Sequence, residues 1–276
     1  MDPYKILVSE IMLQQTQVDR VLKKYPEFLK KFPNAKALAG AKKADVILAW
    51  QGMGYNRRAL NLQKFVQAVF KDHGGKFPTE YGVLKKMPGM GPVTAASFMA
   101  FAYGKDIPAL DTNIRRVIHR IFYGPEIPKE KVSTDKIFDL GKILIPQGKG
   151  WDWNQAMMDF GSLVCQKRRP LCETCPFQKA CKAYPKILSI KPQKRKAKKE
   201  PRNEDFSYPN RIYRGRVIEF LRKTKHATLF EVGRAIEPSF KRKHLPWMKS
   251  ILKGLLHDGL IQASTKDHKI VVSLPR

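Results

Sequence analysis

The sequence predicts a mainly α-helical protein with a small α+β module at its C-terminal end. Three observations carry this prediction. Residues 1–184 repeat apolar positions at helical spacing, and strand-like alternation is almost absent there. The stretch KPQKRKAKKEPRNED then holds no large apolar residue. Residues 206–276 combine helical stretches with two short alternating runs.

Taken in order, Ile6, Leu7, Ile11, Leu13 and Val18 suit a first helix, and Val21, Leu22, Phe28 and Leu29 a second. Pro33, Gly52, Gly54, Gly74, Gly75 and Pro78 punctuate the pattern, as in an all-α domain with tight connections. LKKMPGMGPVTAAS, over residues 84–97, predicts a turn and then an apolar helix. Gly89 and Gly91 let the backbone take left-handed conformations and approach a ligand closely. The amides of the following helix start could then receive a phosphate. Residues 185–205 read as a flexible basic linker, able to touch phosphates non-specifically. Beyond it, Arg211–Arg222 predicts a helix, Thr228 caps a second within TLFEVGRAI, and Leu245–Asp258 forms a third that ends at Gly259. LIQAS and KIVVSL flank TKDH as a β-hairpin. Three helices and a hairpin resemble a winged helix. The expected division is therefore 1–184, a linker over 185–205, and a winged-helix-like domain over 206–276.

The chain of 276 residues carries 53 Lys and Arg against 24 Asp and Glu, a formal net charge of +29. Such an excess concerns partners rather than fold, and nucleic acid is the commonest polyanion; an anionic membrane surface is the rival. No apolar run approaches the roughly 18 residues needed to span a bilayer. The N-terminus MDPYKILVSE lacks the regions of a signal peptide. These features predict an intracellular protein, cytoplasmic and, in a bacterium, associated with the nucleoid; a monomer with a nucleic-acid and no membrane partner is expected.

All four cysteines, Cys165, Cys172, Cys175 and Cys181, fall in one segment with the spacing C-x6-C-x2-C-x5-C. In a reducing compartment four thiolates this close argue for a metal centre. Zinc and a [4Fe–4S] cluster both take four thiolates, and spacing rules do not separate them.

NQAMMDFGSLVC followed by that spacing, residues 154–181, resembles the iron–sulfur loop of the endonuclease III and MutY families of DNA glycosylases. The resemblance implies a two-lobed helix-hairpin-helix glycosylase fold and a [4Fe–4S] cluster on the four cysteines. It also implies that Lys167, Arg168 and Arg169 meet the DNA backbone. Pro88-Gly89-Met90-Gly91 is similar to the family's helix-hairpin-helix turn, which brings Gly89, Gly91 and Val93 to the DNA.

SEIMLQQTQV and ALDTNIRRV resemble the segments that carry the two carboxylates of MutY-type adenine glycosylases. Breaking an N-glycosidic bond leaves a sugar cation and a poor leaving group, so the chemistry wants an acid and a stabilising carboxylate. The resemblance makes Glu10 the acid that protonates adenine N7. It makes Asp111 the stabiliser of the oxocarbenium ion and Asn113 the residue that orients a carboxyl or the attacking water. The substrate reading rests on the DNA-binding run Gln14-Gln15-Thr16, of which Gln15 and Thr16 would face the opposite guanine or 8-oxoguanine. GMGYNRRALNL resembles the segment in which Tyr55 wedges into the base stack beside Met53, and Gln155 would lie near the adenine pocket. Relatives that also cut the strand carry a lysine where this chain has Val93, so a monofunctional enzyme on duplex DNA containing a mispair is expected. The alternatives are a thymine or uracil mismatch glycosylase and a non-catalytic iron–sulfur DNA-binding regulator.

The resemblance spans roughly residues 2–184. Chains of that type carry more sequence ahead of the DPY segment and a MutT-like domain after the cysteines, where this chain has its winged-helix-like segment. On residue types alone, Glu10 would be an exposed helix charge, Asp111 a helix N-cap, and Tyr55 a half-buried core tyrosine.

Overall fold

The computed structural model describes residues 1–126, 132–190, 200–266 and 269–275. Its helices are α1 (Pro3–Leu13), α2 (Val18–Lys31), α3 (Ala35–Ala39), α4 (Lys43–Ala49), α5 (Arg57–His73), α6 (Tyr81–Leu84) and α7 (Pro92–Tyr103). These are followed by α8 (Thr112–Tyr123), α9 (Thr134–Leu144), α10 (Gly150–Leu163), α11 (Lys186–Ser189), α12 (Asn210–Lys223), α13 (Leu229–Ile236) and α14 (Leu245–His257). The strands are β1 (Ala227–Thr228), β2 (Gln262–Lys266) and β3 (Lys269–Ser273). The mainly helical fold with a small C-terminal sheet is thus the one the sequence predicts. Residues 191–199 of the predicted linker and the tip of the hairpin, 267–268, lie outside the described residues.

The chain divides into two compact units, one of Met1–Glu10 and Phe77–Lys196, the other of Ile11–Lys76 and Ala197–Arg276. In the first, α7 is buried through Ala95, Ala96, Phe98, Met99 and Ala100, so it reads as apolar on most faces. The turn before it has Gly89 at φ 79°, and Pro92 opens the helix, where its missing N–H costs nothing. Helices α8, α9 and α10 close around Leu110, Ile114, Ile118 and Ile137.

In the second unit Phe28, Trp50 and Phe65 are fully buried beneath α2–α5. Val18 opens α2 instead of closing α1, because the chain turns at Gln14–Gln17 with Gln15 at φ 54°. Leu22 on α2 is exposed. The C-terminal helices follow the predicted bounds to within a residue or so. Thr228 caps α13 through a reciprocal capping box with Glu231, and α14 gives way at Gly259, φ 70°. The sheet is antiparallel in the order β1-β3-β2, with Ala263 and Ala227 both paired to Val272. Its core joins Tyr213, Val217, Phe240, Leu252 and Leu255 to Ile47 of α4 and Leu60 of α5.

Candidate active site and cysteine loop

Glu10 sits on α1 beside the fully buried Leu7 and Val8. The hydroxyl of Ser97, a buried residue of α7, donates to its carboxyl. That bond favours the ionised form, but desolvation outweighs it and pushes the pKa up to about 7 from an ordinary 4.5. The exposed-charge reading of Glu10 therefore fails. At neutral pH this carboxyl is poised between holding and releasing its proton.

Asp111 caps α8, as its position before a helix suggests. Its Oδ1 accepts from the amides of Asn113 at 2.9 Å and Ile114 at 2.7 Å, and its Oδ2 from Asn113 Nδ2 at 3.1 Å. Burial raises its pKa from the usual range, against the pull of these donors and of Arg116. Capping and a catalytic role do not compete. The cap fixes the direction of a carboxylate that stays partly buried. Two residues upstream, the Ala109 amide donates to Asn154 Oδ1 at 2.7 Å. Asn154 is fully buried and also donates to the carbonyls of Ile107 and Gly150. Within NQAMMDFG, then, Asn154 is the residue that holds the approach to Asp111. Its neighbour Gln155 pairs with Asp159 at 3.2 Å.

Arginines that the motif reading did not single out tie this segment to the cysteines. Arg116 Nη2 donates to Asn113 Oδ1 at 2.8 Å and to the Gly161 carbonyl, and its Nε donates to the Cys165 carbonyl at 2.8 Å. One turn on, Arg120 is 2% exposed. It forms a two-toothed ion pair with Glu126, at 2.7 and 2.8 Å, and donates to Cys165 Sγ at 3.6 Å and to the Gln166 and Lys167 carbonyls. The signal for both was present, since residues four apart share a helix face. The burial of Arg120 was not visible, because an exposed basic stripe reads the same way.

Cys165, Cys172, Cys175 and Cys181 line one cavity together with Arg120, Phe160, Leu171 and Ile187. Four soft thiolate donors, an apolar wall and a buried cation near Cys165 suit an anionic thiolate-bound centre. Among the described residues no three His, Cys, Asp or Glu side chains converge to the range of a single metal ion. Lys167, Arg168 and Arg169 are exposed on the loop between the first two cysteines.

The second unit holds the remaining predicted contacts. Tyr55 is 62% exposed, which excludes a core role. Tyr55, at φ 44°, and Gln15, at φ 54°, are the only non-glycine residues with positive φ among the described residues. Such conformations persist only where neighbours over-determine them, and they concentrate at functional sites. The over-determining neighbour here is Arg58. Its Nη1 donates to the carbonyls of Ile11 (3.0 Å), Met12 (2.9 Å) and Gln14, and its Nη2 to Thr16 Oγ1 (2.9 Å) and the Met53 carbonyl (3.0 Å). Its guanidinium also lies 5.7 Å from the centre of the Tyr55 ring. Desolvation lowers its pKa to about 10. Met53 is buried at 2% exposure, Gln14 and Thr16 are half-buried, and Gln15 is exposed. In the hairpin Gly91 faces open space where a Cβ would be, and Val93 is 38% exposed.

A family model described as HhH-GPD superfamily base excision DNA repair protein matches residues 8–139. The adenine DNA glycosylase of Mycobacterium tuberculosis (strain H37Rv) is 34% identical over 242 residues, covering 84% of this chain and 73% of the relative. That of Buchnera aphidicola subsp. Schizaphis graminum is 34% identical over 196 residues, 71% of this chain and 56% of the relative. This chain thus spans little more than half the length of the Buchnera protein. Among solved structures, a thermostable thymine-DNA glycosylase superposes with a TM-score of 0.62 at 33% identity, over 67% of this chain and 85% of that one.

Proposed function

The chain belongs to the HhH-GPD superfamily of base excision DNA repair proteins, and on that premise we propose that it hydrolyses the N-glycosidic bond of adenine mispaired with guanine or 8-oxoguanine in duplex DNA. The observation that carries the reading is the Glu10 carboxyl, which burial pushes up to about 7. A carboxylic acid still partly protonated at neutral pH is what departure of a purine requires.

In this reading Tyr55 fills the gap left when adenine rotates out of the stack, lowering the cost of extrusion. Gln15 and Thr16 face the orphaned base, and the hairpin of Gly89 and Gly91 holds a phosphate on backbone amides. Glu10 gives its proton to adenine N7 as the C1′–N9 bond breaks, and the bonding pair leaves with N9. Asp111, held by the amides of Asn113 and Ile114, offers a fixed negative charge to the sugar cation. Water then adds to C1′, and its proton returns to the Glu10 carboxylate. Val93 offers no amine, so the reaction ends at an abasic site. Cys165, Cys172, Cys175 and Cys181 would hold a [4Fe–4S] cluster, which would brace the loop of Lys167, Arg168 and Arg169 against the DNA backbone.

The likeness to a thymine-DNA glycosylase favours a second reading, excision of mismatched thymine on the same frame. Duplexes with A·8-oxoG, A·G and T·G pairs, incubated with the protein and then treated with alkali, separate the two. Cleavage at adenine supports the first reading, and cleavage at thymine alone replaces it with the second. Tight binding without cleavage leaves a non-catalytic DNA-binding protein.

A further inference from the structure

None of the residues assigned to chemistry lies in the C-terminal module. That module nonetheless reaches the loop of Tyr55. The three residues that follow Tyr55 are each engaged from outside the loop. Asn56 Oδ1 accepts from Arg222 Nη2 at 3.1 Å, and the same nitrogen donates to the Ile47 carbonyl at 2.9 Å. Arg57 lies 3.4 Å from Asp258. Arg58 makes the contacts already described. For two of these three residues the partner, Arg222 on α12 or Asp258 just after α14, belongs to the C-terminal module.

Arg222 is not an incidental surface cation. Its side chain is 2% exposed and ion-paired with Glu219, whose other oxygen accepts from Gln51 Nε2 at 3.0 Å. Burying a guanidinium is costly unless its donors are met, and Arg222 Nε finds no partner. The donors that are met serve Glu219 and the segment from Ile47 to Asn56, which ends beside the strained Tyr55. The apolar core points the same way, because Ile47 and Leu60 bracket this segment and pack with Tyr213 and Leu252. Ordinary domain packing would need only the apolar contacts. It would not need a buried cation aimed at the side chain next to Tyr55.

We infer that the C-terminal module is an intramolecular brace for the Tyr55 loop, with Arg222 a positioning residue that acts through Asn56. The inference deepens the proposed function, since it rests on Tyr55 being the residue that opens the duplex.

The test uses the full chain and the variants Asn56→Ala, Arg222→Lys and their combination. Asn56→Ala removes the acceptor and keeps the Arg222–Glu219 pair, so the test survives if a change at Arg222 unfolds the module. Hydrogen exchange of the Arg58 and Ala59 amides, which donate to the Tyr55 and Asn56 carbonyls, reads the loop without DNA. The fluorescence of 2-aminopurine placed beside the mispaired adenine reads extrusion. Asn56→Ala should speed exchange at both amides about tenfold and lower the extrusion signal several-fold, while affinity for a fully paired duplex stays within about twofold. The combined variant should add little to Arg222→Lys, because that change already removes the bond to Asn56. Unchanged exchange overturns the brace, as does faster exchange with undiminished extrusion. If the wild-type protein extrudes no base from any mispair, the proposed function fails, and the exchange result alone decides whether the brace exists.

Discussion

A Cβ placed on Gly161 of α10 would fall 2.6 Å from the Cβ of Asn113 on α8, and 3.1 Å from its Cα. The two helices meet at the residue that holds Asp111, and only a glycine permits the contact. Gly161→Ala should therefore destabilise the protein by about 1–3 kcal/mol, the usual range for overpacking. It should slow base release further by tilting Asn113 away from Asp111. Urea unfolding and single-turnover kinetics check the two parts; a variant that is destabilised but keeps the wild-type rate would detach Asn113 from the chemistry.

Glu10 makes stability depend on pH with a definite sign. Its folded pKa of about 7 lies above the ordinary 4.5, so the folded state binds the proton more tightly. The contribution is full below about pH 4.5 and is lost as pH rises towards and through 7, by at most roughly 3–4 kcal/mol. Glu10→Gln should remove that slope and be more stable than the parent at pH 8, while losing base release. In the parent, the rate at low substrate should fall as pH climbs through about 7. A flat profile there would contradict the acid role.

Tyr55 holds its backbone at φ 44°, where an L residue is disfavoured by roughly 1–2 kcal/mol. Tyr55→Gly relieves that strain but loses the ring's contact with Arg58. Stability should stay within about 1 kcal/mol of the parent, since the two effects oppose. Base extrusion and release should both drop. Thermal unfolding beside 2-aminopurine fluorescence tells these apart, and full activity in the variant would end the wedge assignment.

The proposed [4Fe–4S] cluster predicts about four irons per chain. Elemental analysis of the purified protein measures this. Cys172→Ser should lower the iron content and weaken binding to undamaged duplex, because the loop of Lys167–Arg169 loses its support. One zinc per chain with normal affinity would replace the cluster with a structural zinc site.

Much of the site could be read along the chain because its motifs are local. Asp111 and Asn113 share one helix start, the PGMG turn announces itself by its glycines, and the four cysteines fall in one short segment. The residues that escaped are those whose partners lie far away in sequence. Asn154 is one more polar residue beside Gln155 in the sequence, yet it is the buried one, because the Ile107 carbonyl and the Ala109 amide that it bonds come from a distant segment. Nothing close to Arg58, Arg116 and Arg120 in sequence sets them apart from the chain's many other cations.

The sequence by itself determined the periodicity of its helices, the capping of α8 and α13, the hairpin at the C-terminus and the strong basic charge, since each is set by neighbours within a few residues. Only the tertiary structure decided which charges leave water. Desolvation depends on what packs above a side chain, and that comes from distant parts of the chain. It turned Glu10 from a helix charge into a poised acid, and it made Arg58 and Arg222 the supports of a strained loop.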